Sequence, residues 1–428
     1  MPPGAVIKGR LKYRFPGLVR DIVSCAPSIK SLTLIATEDP TLEENNAFNV
    51  QIRSLIRALH DLEIVIFSPC FLTQAVVHSL SKARNLHTII AAPARPVNRW
   101  EQLPPFSAAA STLFYRFLTH EQGDWESLRS YTSILSLEET ENTLAQPNFP
   151  SHKLTDLTLL ATGSYNFSAE TLKSFIPNGA VQSFIHTVAM QCPSLERLHV
   201  DLEAPYVLPI EDAEEPDEIP LNIANLSHLG GLDSLTEFYL HDRRLLDMTE
   251  DELVDLVRQI PRLRILYLCH TPHCVLVPVQ VEVDANDAIE GAPPPPAEFE
   301  FSLPESPFGM RIVSRIMEAL PGLKELGIYL DISDDILPDH GGRASLDVLH
   351  VGNSPPPPLT LPSDAFLPYL SSQGKLAVGP QLAYRWGYPG RDMIQYLDQS
   401  LAGWSRFTSY SKSIYEVTMS VEALHPLF

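Results

Sequence analysis

Apolar residues along this chain recur in a short phrase, with one at position i, a second at i+3 and a third at i+5. The clearest copies are Ile29/Leu32/Leu34, Leu154/Leu157/Leu159, Leu195/Leu198/Val200, Leu235/Phe238/Leu240, Leu263/Leu266/Leu268, Leu323/Leu326/Ile328 and Leu346/Leu349/Val351. Leu62/Val65/Phe67 and Leu86/Ile89/Ala91 repeat it with weaker residues. The spacing of two between the last apolar pair is that of a strand with one buried face. Steps between copies run from 23 residues (323 to 346) to 68 (86 to 154). The longest step predicts a degenerate copy at Thr132/Leu135/Leu137.

Most copies follow a segment whose apolar residues fall at i, i+3, i+4 and i+7, which lines one face of a helix. Leu253, Leu256, Val257 and Ile260 form such a face, with Thr249 and Glu252 spaced as a capping box and Pro261 as a stop. Val181/Phe184/Ile185/Val188 before Pro193, Ile312/Ile316/Met317/Leu320 before Pro321, and Leu18/Ile22/Val23 before Pro27 follow the same grammar. Ile52/Leu55/Ile56/Leu59 leads into a strand without a proline. Units of helix and strand that cannot bury their apolar faces alone stack on one another. The expected fold is α/β: an irregular leucine-rich-repeat solenoid with a parallel sheet on one face and helices on the other.

The repeat region is expected over residues 1–354, interrupted by acidic and proline-rich insertions at about 203–220 and 281–307. The first contains the run Glu211 to Glu218, a solvated loop or a docking point for a basic partner; the second contains Pro293 to Pro296 and is read as a flexible excursion. Pro355 to Pro358 mark a break, and residues 355–428, with Trp386, Trp404 and Tyr415, are assigned as a C-terminal cap in which Ile414/Val417/Met419 forms a last strand.

Lys and Arg number 31 against 52 Asp and Glu, a formal net charge of −21. That charge repels phosphate backbones and anionic lipid surfaces, so neither nucleic acid nor membrane is an expected partner. Apolar runs are strand-sized, and Met1 to Tyr13 lacks a signal-peptide core. Cys25, Cys70, Cys192, Cys269 and Cys274 fit reduced thiols in a cytoplasmic or nuclear protein.

If i+3 and i+5 point inward, then i+2, i+4 and i+6 project from the opposite face of the sheet. In the later units these positions carry Arg197, His199, Glu237, Tyr239, His241, Tyr267, Tyr329 and His350. Aromatic residues and Arg are enriched where proteins bind each other, so these eight are the candidate protein-binding residues on a concave face. No catalytic residue, metal site or cofactor is assigned. Cys269-His270-Thr271-Pro272-His273-Cys274 gathers thiols and imidazoles, but four ligands within six residues around a proline do not converge tetrahedrally. A metal-dependent enzyme centred on Cys269 and His273 is the remote alternative. No nucleotide-binding, nucleophile-elbow or zinc-protease motif occurs, so a non-enzymatic protein is expected.

The phrases Cys192-Pro193-Ser194-Leu195-Glu196-Arg197-Leu198 and Leu320-Pro321-Gly322-Leu323-Lys324-Glu325-Leu326, with Asp124-Trp125-Glu126-Ser127-Leu128-Arg129-Ser130-Tyr131, resemble the fungal F-box/leucine-rich-repeat proteins over roughly residues 17 to 353. The resemblance implies repeats that select a protein for ubiquitination, and an N-terminal F-box that contacts the adaptor of a cullin-type ubiquitin ligase. No recognisable F-box phrase precedes Ile29. The chain is accordingly read as the substrate-recognition part of such a ligase, and alternatively as a freestanding scaffold or regulator unrelated to ubiquitin.

Overall fold

The computed structural model describes residues 4–8, 22, 28–35, 42–91, 125–160, 179–202, 220–242, 244–269, 275–278, 299–302, 305–331, 346–351, 354 and 375–377. The main sheet is built of the strands β1 (Gly4–Lys8), β2 (Ser31–Ile35), β3 (Ile64–Phe67), β4 (Thr88–Ala91), β5 (Ser130–Ser133), β6 (Asp156–Leu160) and β7 (Arg197–Asp201), with all but β1 and β5 formed by the apolar phrases. They continue as β9 (Glu237–His241), β11 (Ile265–Leu268), β14 (Glu325–Ile328), β15 (Val348–His350) and β16 (Lys375–Ala377). These pair in chain order into one twelve-stranded sheet. Every pairing in it is parallel. The short strands β8 (Leu221–Asn222) and β10 (Leu246–Asp247) pair beside it, and β12 (Val275–Pro278) forms an antiparallel pair with β13 (Phe299–Ser302).

Register across the main sheet is set by the phrase. Leu32, Val65, Ile89, Tyr131, Leu157, Leu198, Phe238, Leu266, Leu326 and Leu349 stand in one row, all at i+3. All are buried, and with the i+5 residues they belong to one continuous apolar core. A one-residue slip would turn that row out to the opposite face, so burial alone specifies the alignment.

A second device reinforces it at the edge of each strand. The carbonyl at i+1 accepts two N–H groups from the next unit. Thr155 takes those of Glu196 and Arg197 at 2.9 Å each; Glu196 takes Thr236 and Glu237 at 2.7 and 3.0 Å; Thr236 takes Arg264 and Ile265 at 2.7 and 3.1 Å. Lys30, Glu63, His87, Arg129, Arg264 and Lys324 accept in the same way. Both lone pairs of each carbonyl are thus engaged, and the polar side chains at i+1 lie where the apolar positions are already taken.

The helices are α1 (Leu42–Ala58), α2 (Gln74–Ser81), α3 (Leu137–Leu144), α4 (Ala180–Gln191), α5 (Ile223–Leu226), α6 (Glu250–Arg258) and α7 (Arg311–Ala319). The faces read from the sequence are the ones buried: Leu253, Leu256 and Val257 on α6, Val181, Phe184, Ile185 and Val188 on α4, and Ile312, Ile316 and Met317 on α7. The Thr249/Glu252 capping box closes in both directions, the Glu252 amide donating to Thr249 Oγ1 at 3.2 Å and the Thr249 amide to the Glu252 carboxylate at 2.7 Å. The bonds that the Thr249 amide and hydroxyl donate to the carboxylate favour its ionised form and hold Glu252 below its usual value. Arg311 and Arg315 of α7 grip Glu250 of α6 at 2.9 and 3.1 Å, and Arg315 also meets Asp251.

Three expectations are corrected. The degenerate copy at Thr132/Leu135/Leu137 is instead Leu128/Tyr131/Ser133, because β5 begins at Ser130 and Tyr131 takes the register position opposite Ile89. Leu137 opens α3, which Ser136 caps. A phenol in that row hides the copy from an apolar search. Tyr131 is nevertheless buried, edge-on to Phe149 at 5.3 Å, and burial pushes its phenol far above the usual value. The sheet also begins one strand before Ile29, at Gly4. Within the 281–307 excursion, Phe299–Ser302 is a strand, and Phe308 just after it is in the core. The 203–219 run lies outside the described residues, as does the proposed strand at Ile414/Val417/Met419; Lys375–Ala377 of the cap region continues the sheet in parallel.

The two kinds of support predict different losses. Phe238→Ala empties a fully buried place in the i+3 row and is expected to cost about 3–5 kcal/mol, whereas Thr249→Ala removes one cap and costs about 1 kcal/mol. Urea denaturation followed by circular dichroism measures both, and equal losses would sink the assignment of register to the apolar row.

Candidate functional site

The face opposite the core carries three rows in the later strands. The i+2 row is Asp156, Arg197, Glu237, Ile265, Glu325 and Val348; the i+4 row is Thr158, His199, Tyr239, Tyr267, Gly327 and His350. The i+6 row holds Leu160, Asp201 and His241, followed along the chain's order by Cys269 and Tyr329. Exposure falls across these rows. Arg197 is exposed, Glu237, Ile265, Glu325 and Val348 are half-buried, and Asp201, His241, Cys269 and Tyr329 are buried.

Rings at i+4 stack along the sheet because neighbouring parallel strands sit about 4.8 Å apart, close to the distance at which aromatic rings pack. Tyr239 and Tyr267 lie nearly parallel, with centroids 4.7 Å apart and planes 9° from one another. His199 meets Tyr239 edge-on at 4.0 Å, and His350 approaches Tyr267 at 6.0 Å. Between Tyr267 and His350 the register position is Gly327, where a Cβ would come within 2.0 Å of Tyr267 Cδ1. Glycine is required there to admit the ring.

The eight candidates therefore divide. Arg197, His199, Glu237 and Tyr239 remain accessible in whole or part. His241, Tyr267, Tyr329 and His350 do not form an open surface as expected: each is buried, Tyr267 and His350 to 2% exposure. The physical reason is the stacking itself, which spends ring faces on neighbouring rings, and the crowding of the i+6 row. His241 Nδ1 stands 3.2 Å from Asp201 Oδ1 within that row, both side chains buried. Next to it, Asp242 receives a two-pronged grip from Arg244, through Nε at 3.1 Å and Nη2 at 2.6 Å. That pair, with Asp242 buried and Arg244 half-buried, was invisible in the spacing of the repeats.

Electrostatics separates the i+2 residues. Arg197 is bound to Asp156, and this bond holds its guanidinium above its ordinary value. Glu237 and Glu325 make no ion pair among the described residues, though the Tyr267 hydroxyl donates to Glu325 at 3.3 Å. Burial pushes the Glu237 carboxyl up; nearby Arg197 opposes the shift, and Asp156 and Glu325 add to it. Burial and then the charges of Glu325 and Glu237 likewise push the Tyr239 phenol up. Two carboxylates, the phenols of Tyr239 and Tyr267 and the side chain of Ile265 thus share one stretch of the face.

Among the described residues, thiol and metal chemistry finds no comparable assembly. Burial raises the Cys269 thiol well above its usual value and the charge of Asp242 raises it further, while burial pushes Cys192 up to about 12. Both are poor nucleophiles in that state. Cys269 adopts a left-handed φ of 41° at the end of β11. Cys25, His270, His273 and Cys274 lie outside the described residues, and among the described residues no group of three or more His, Cys, Asp or Glu is placed to hold a metal ion. Nor is any described helix long and apolar enough to cross a membrane.

Gly327→Ala is expected to displace the Tyr267 ring, costing roughly 1–3 kcal/mol and weakening the near-ultraviolet circular dichroism of the stacked tyrosines. An unchanged spectrum would show that the stack does not depend on the glycine. For Glu237 the raised folded-state pKa means that both states are protonated at low pH, and the folded state bears a cost once pH rises through the ordinary carboxylate range near ~4.3. Glu237→Gln therefore gains a little stability at neutral pH, a gain reduced by solvent screening, and the gain vanishes in acid; thermal melts of the two proteins across pH measure it. Compared with known proteins, the chain matches no family model and no curated protein.

Proposed function

We propose that the chain is a leucine-rich-repeat protein without catalytic function of its own, which holds a protein partner on the face of the sheet opposite the core. The observation that carries this reading is the continuous register of that face: the i+2 row of side chains runs unbroken from β6 to β15, with Arg197, Glu237, Ile265 and Glu325 accessible in it and Tyr239 beside it. A surface made of rows at fixed spacing suits an extended or broad protein partner better than a small molecule, which needs a concave pocket. Rigid aromatic side chains lose little freedom on contact, and Tyr with Arg is the usual composition of a binding hot spot. The repeats then act as the substrate-recognition part of a cullin-type ubiquitin ligase, the reading that the family resemblance favours, in a cytoplasmic or nuclear setting.

The test is affinity capture from lysate, comparing wild type with Arg197→Ser/Tyr239→Ser, two substitutions outside the i+3 and i+5 core. Circular dichroism checks that the variant keeps its fold. Partners retained by wild type and lost by the folded variant are the expected result; identical capture would remove this face as the site. Recovery of a ubiquitin-ligase adaptor with wild type supports the ligase role, and a specific partner without an adaptor supports a freestanding scaffold.

A further inference from the structure

We propose that Glu237 and Glu325, on either side of Ile265 and beside the Tyr239 hydroxyl, form an acceptor for an arginine side chain presented by a basic segment of a protein partner. The inference rests on the docking reading above and specifies the chemistry of what docks.

Glu237, Ile265 and Glu325 are register partners on three successive strands, so the two acidic residues stand about 10 Å apart across two strand spacings. Ile265 supplies the floor between them, a half-buried apolar surface on which a long aliphatic stem can lie. The nearest cation on the face, Arg197, is already engaged with Asp156. Arg264 and Lys324, each next in sequence to a residue of this group, form no ion pair with either carboxylate. Two carboxylates on one apolar shelf, neither of them ion-paired among the described residues and only Glu325 taking a hydroxyl, that of Tyr267, leave acceptor capacity that a planar guanidinium with donors on several edges can fill at once. A lysine ammonium is a point charge and spans the two less well.

Tyr239 supports the assignment from a second side. Its ring is held between Tyr267 and His199, so its position is fixed and its ring faces are taken up within the row. What it contributes outward is a phenol oxygen on which the charges of both Glu325 and Glu237 act. The attraction for a cation is therefore electrostatic and hydrogen-bonded, with no ring face offered. Burial works against the bare Glu237 carboxylate, and an incoming cation removes that disadvantage. The formal charge of −21 adds long-range steering of basic segments toward the protein.

The experiment is fluorescence anisotropy on the full chain with a labelled peptide of alternating arginine and glycine, beside matching lysine and citrulline peptides. Three proteins are compared: wild type, Glu237→Gln/Glu325→Gln, and a control, Asp233→Asn/Glu318→Gln, that removes the same charge from exposed positions outside this face. The expected result is saturable binding of the arginine peptide, weakened at least about tenfold in the Glu237/Glu325 variant and unchanged in the control, with the citrulline peptide not bound. Equal weakening in both variants would show diffuse attraction to an acidic protein and overturn the proposal, as would an arginine peptide that does not bind. Equal affinity for the lysine peptide overturns the guanidinium assignment. If the arginine peptide fails while the Arg197/Tyr239 variant still loses captured partners, the docking reading stands and this inference alone falls.

Discussion

Parallel register is the constraint from which the rest of this molecule follows. The strands of the main sheet, from Gly4 to Ala377, pair in the order in which they occur, and from β2 to β15 each alignment is held by a buried row and by edge carbonyls that accept from two amides of the following unit. Neither device suffices alone. The apolar row is non-directional and would tolerate tilt, while a carbonyl at the margin of a sheet would bond to water as readily as to protein. Together they place like positions of successive units side by side, and everything functional on the opposite face inherits that order.

The inheritance explains why chemistry appears in rows. Rings at i+4 must stack because strand spacing leaves them no alternative, and one position in the row, Gly327, yields its side chain so that Tyr267 can fit. Acidic residues at i+2 must alternate with whatever the intervening strand supplies, which is Arg197 between Asp156 and Glu237 but Ile265 between Glu237 and Glu325. The first arrangement pairs a carboxylate with a cation; the second leaves both carboxylates without an ion pair among the described residues, Glu325 taking only the Tyr267 hydroxyl.

Much of this was legible from spacing. The helices before Pro193, Pro261 and Pro321, the Thr249 cap and the assignment of residues to the two faces follow from periodicity, because burial and strand geometry act on short stretches. Tyr131 escaped notice since a phenol takes an aliphatic position, and Gly4–Lys8 since the small Ala5 stands in register with Leu32, where the other copies carry a large side chain. What spacing could not convey is how deeply a face-lying side chain sits. His241, Tyr267, Tyr329 and His350 have the correct parity yet are buried, and neighbouring strands supply what crowds them, such as Asp201 beside His241 and Tyr239 beside Tyr267. The Asp242–Arg244 grip belongs to a connection, to which a repeat pattern does not extend.

The same carbonyl ladder separates alignment from length. Between Thr236 and Arg264 the intervening chain is short, and between Arg264 and Lys324 it is about twice as long, yet the double acceptance is the same in both. Closing a loop of doubled length costs only about 0.6 kcal/mol in chain entropy. Connections in this architecture can therefore grow at little energetic expense without disturbing any row, which makes the segments between strands the cheapest places for the protein to acquire new surface.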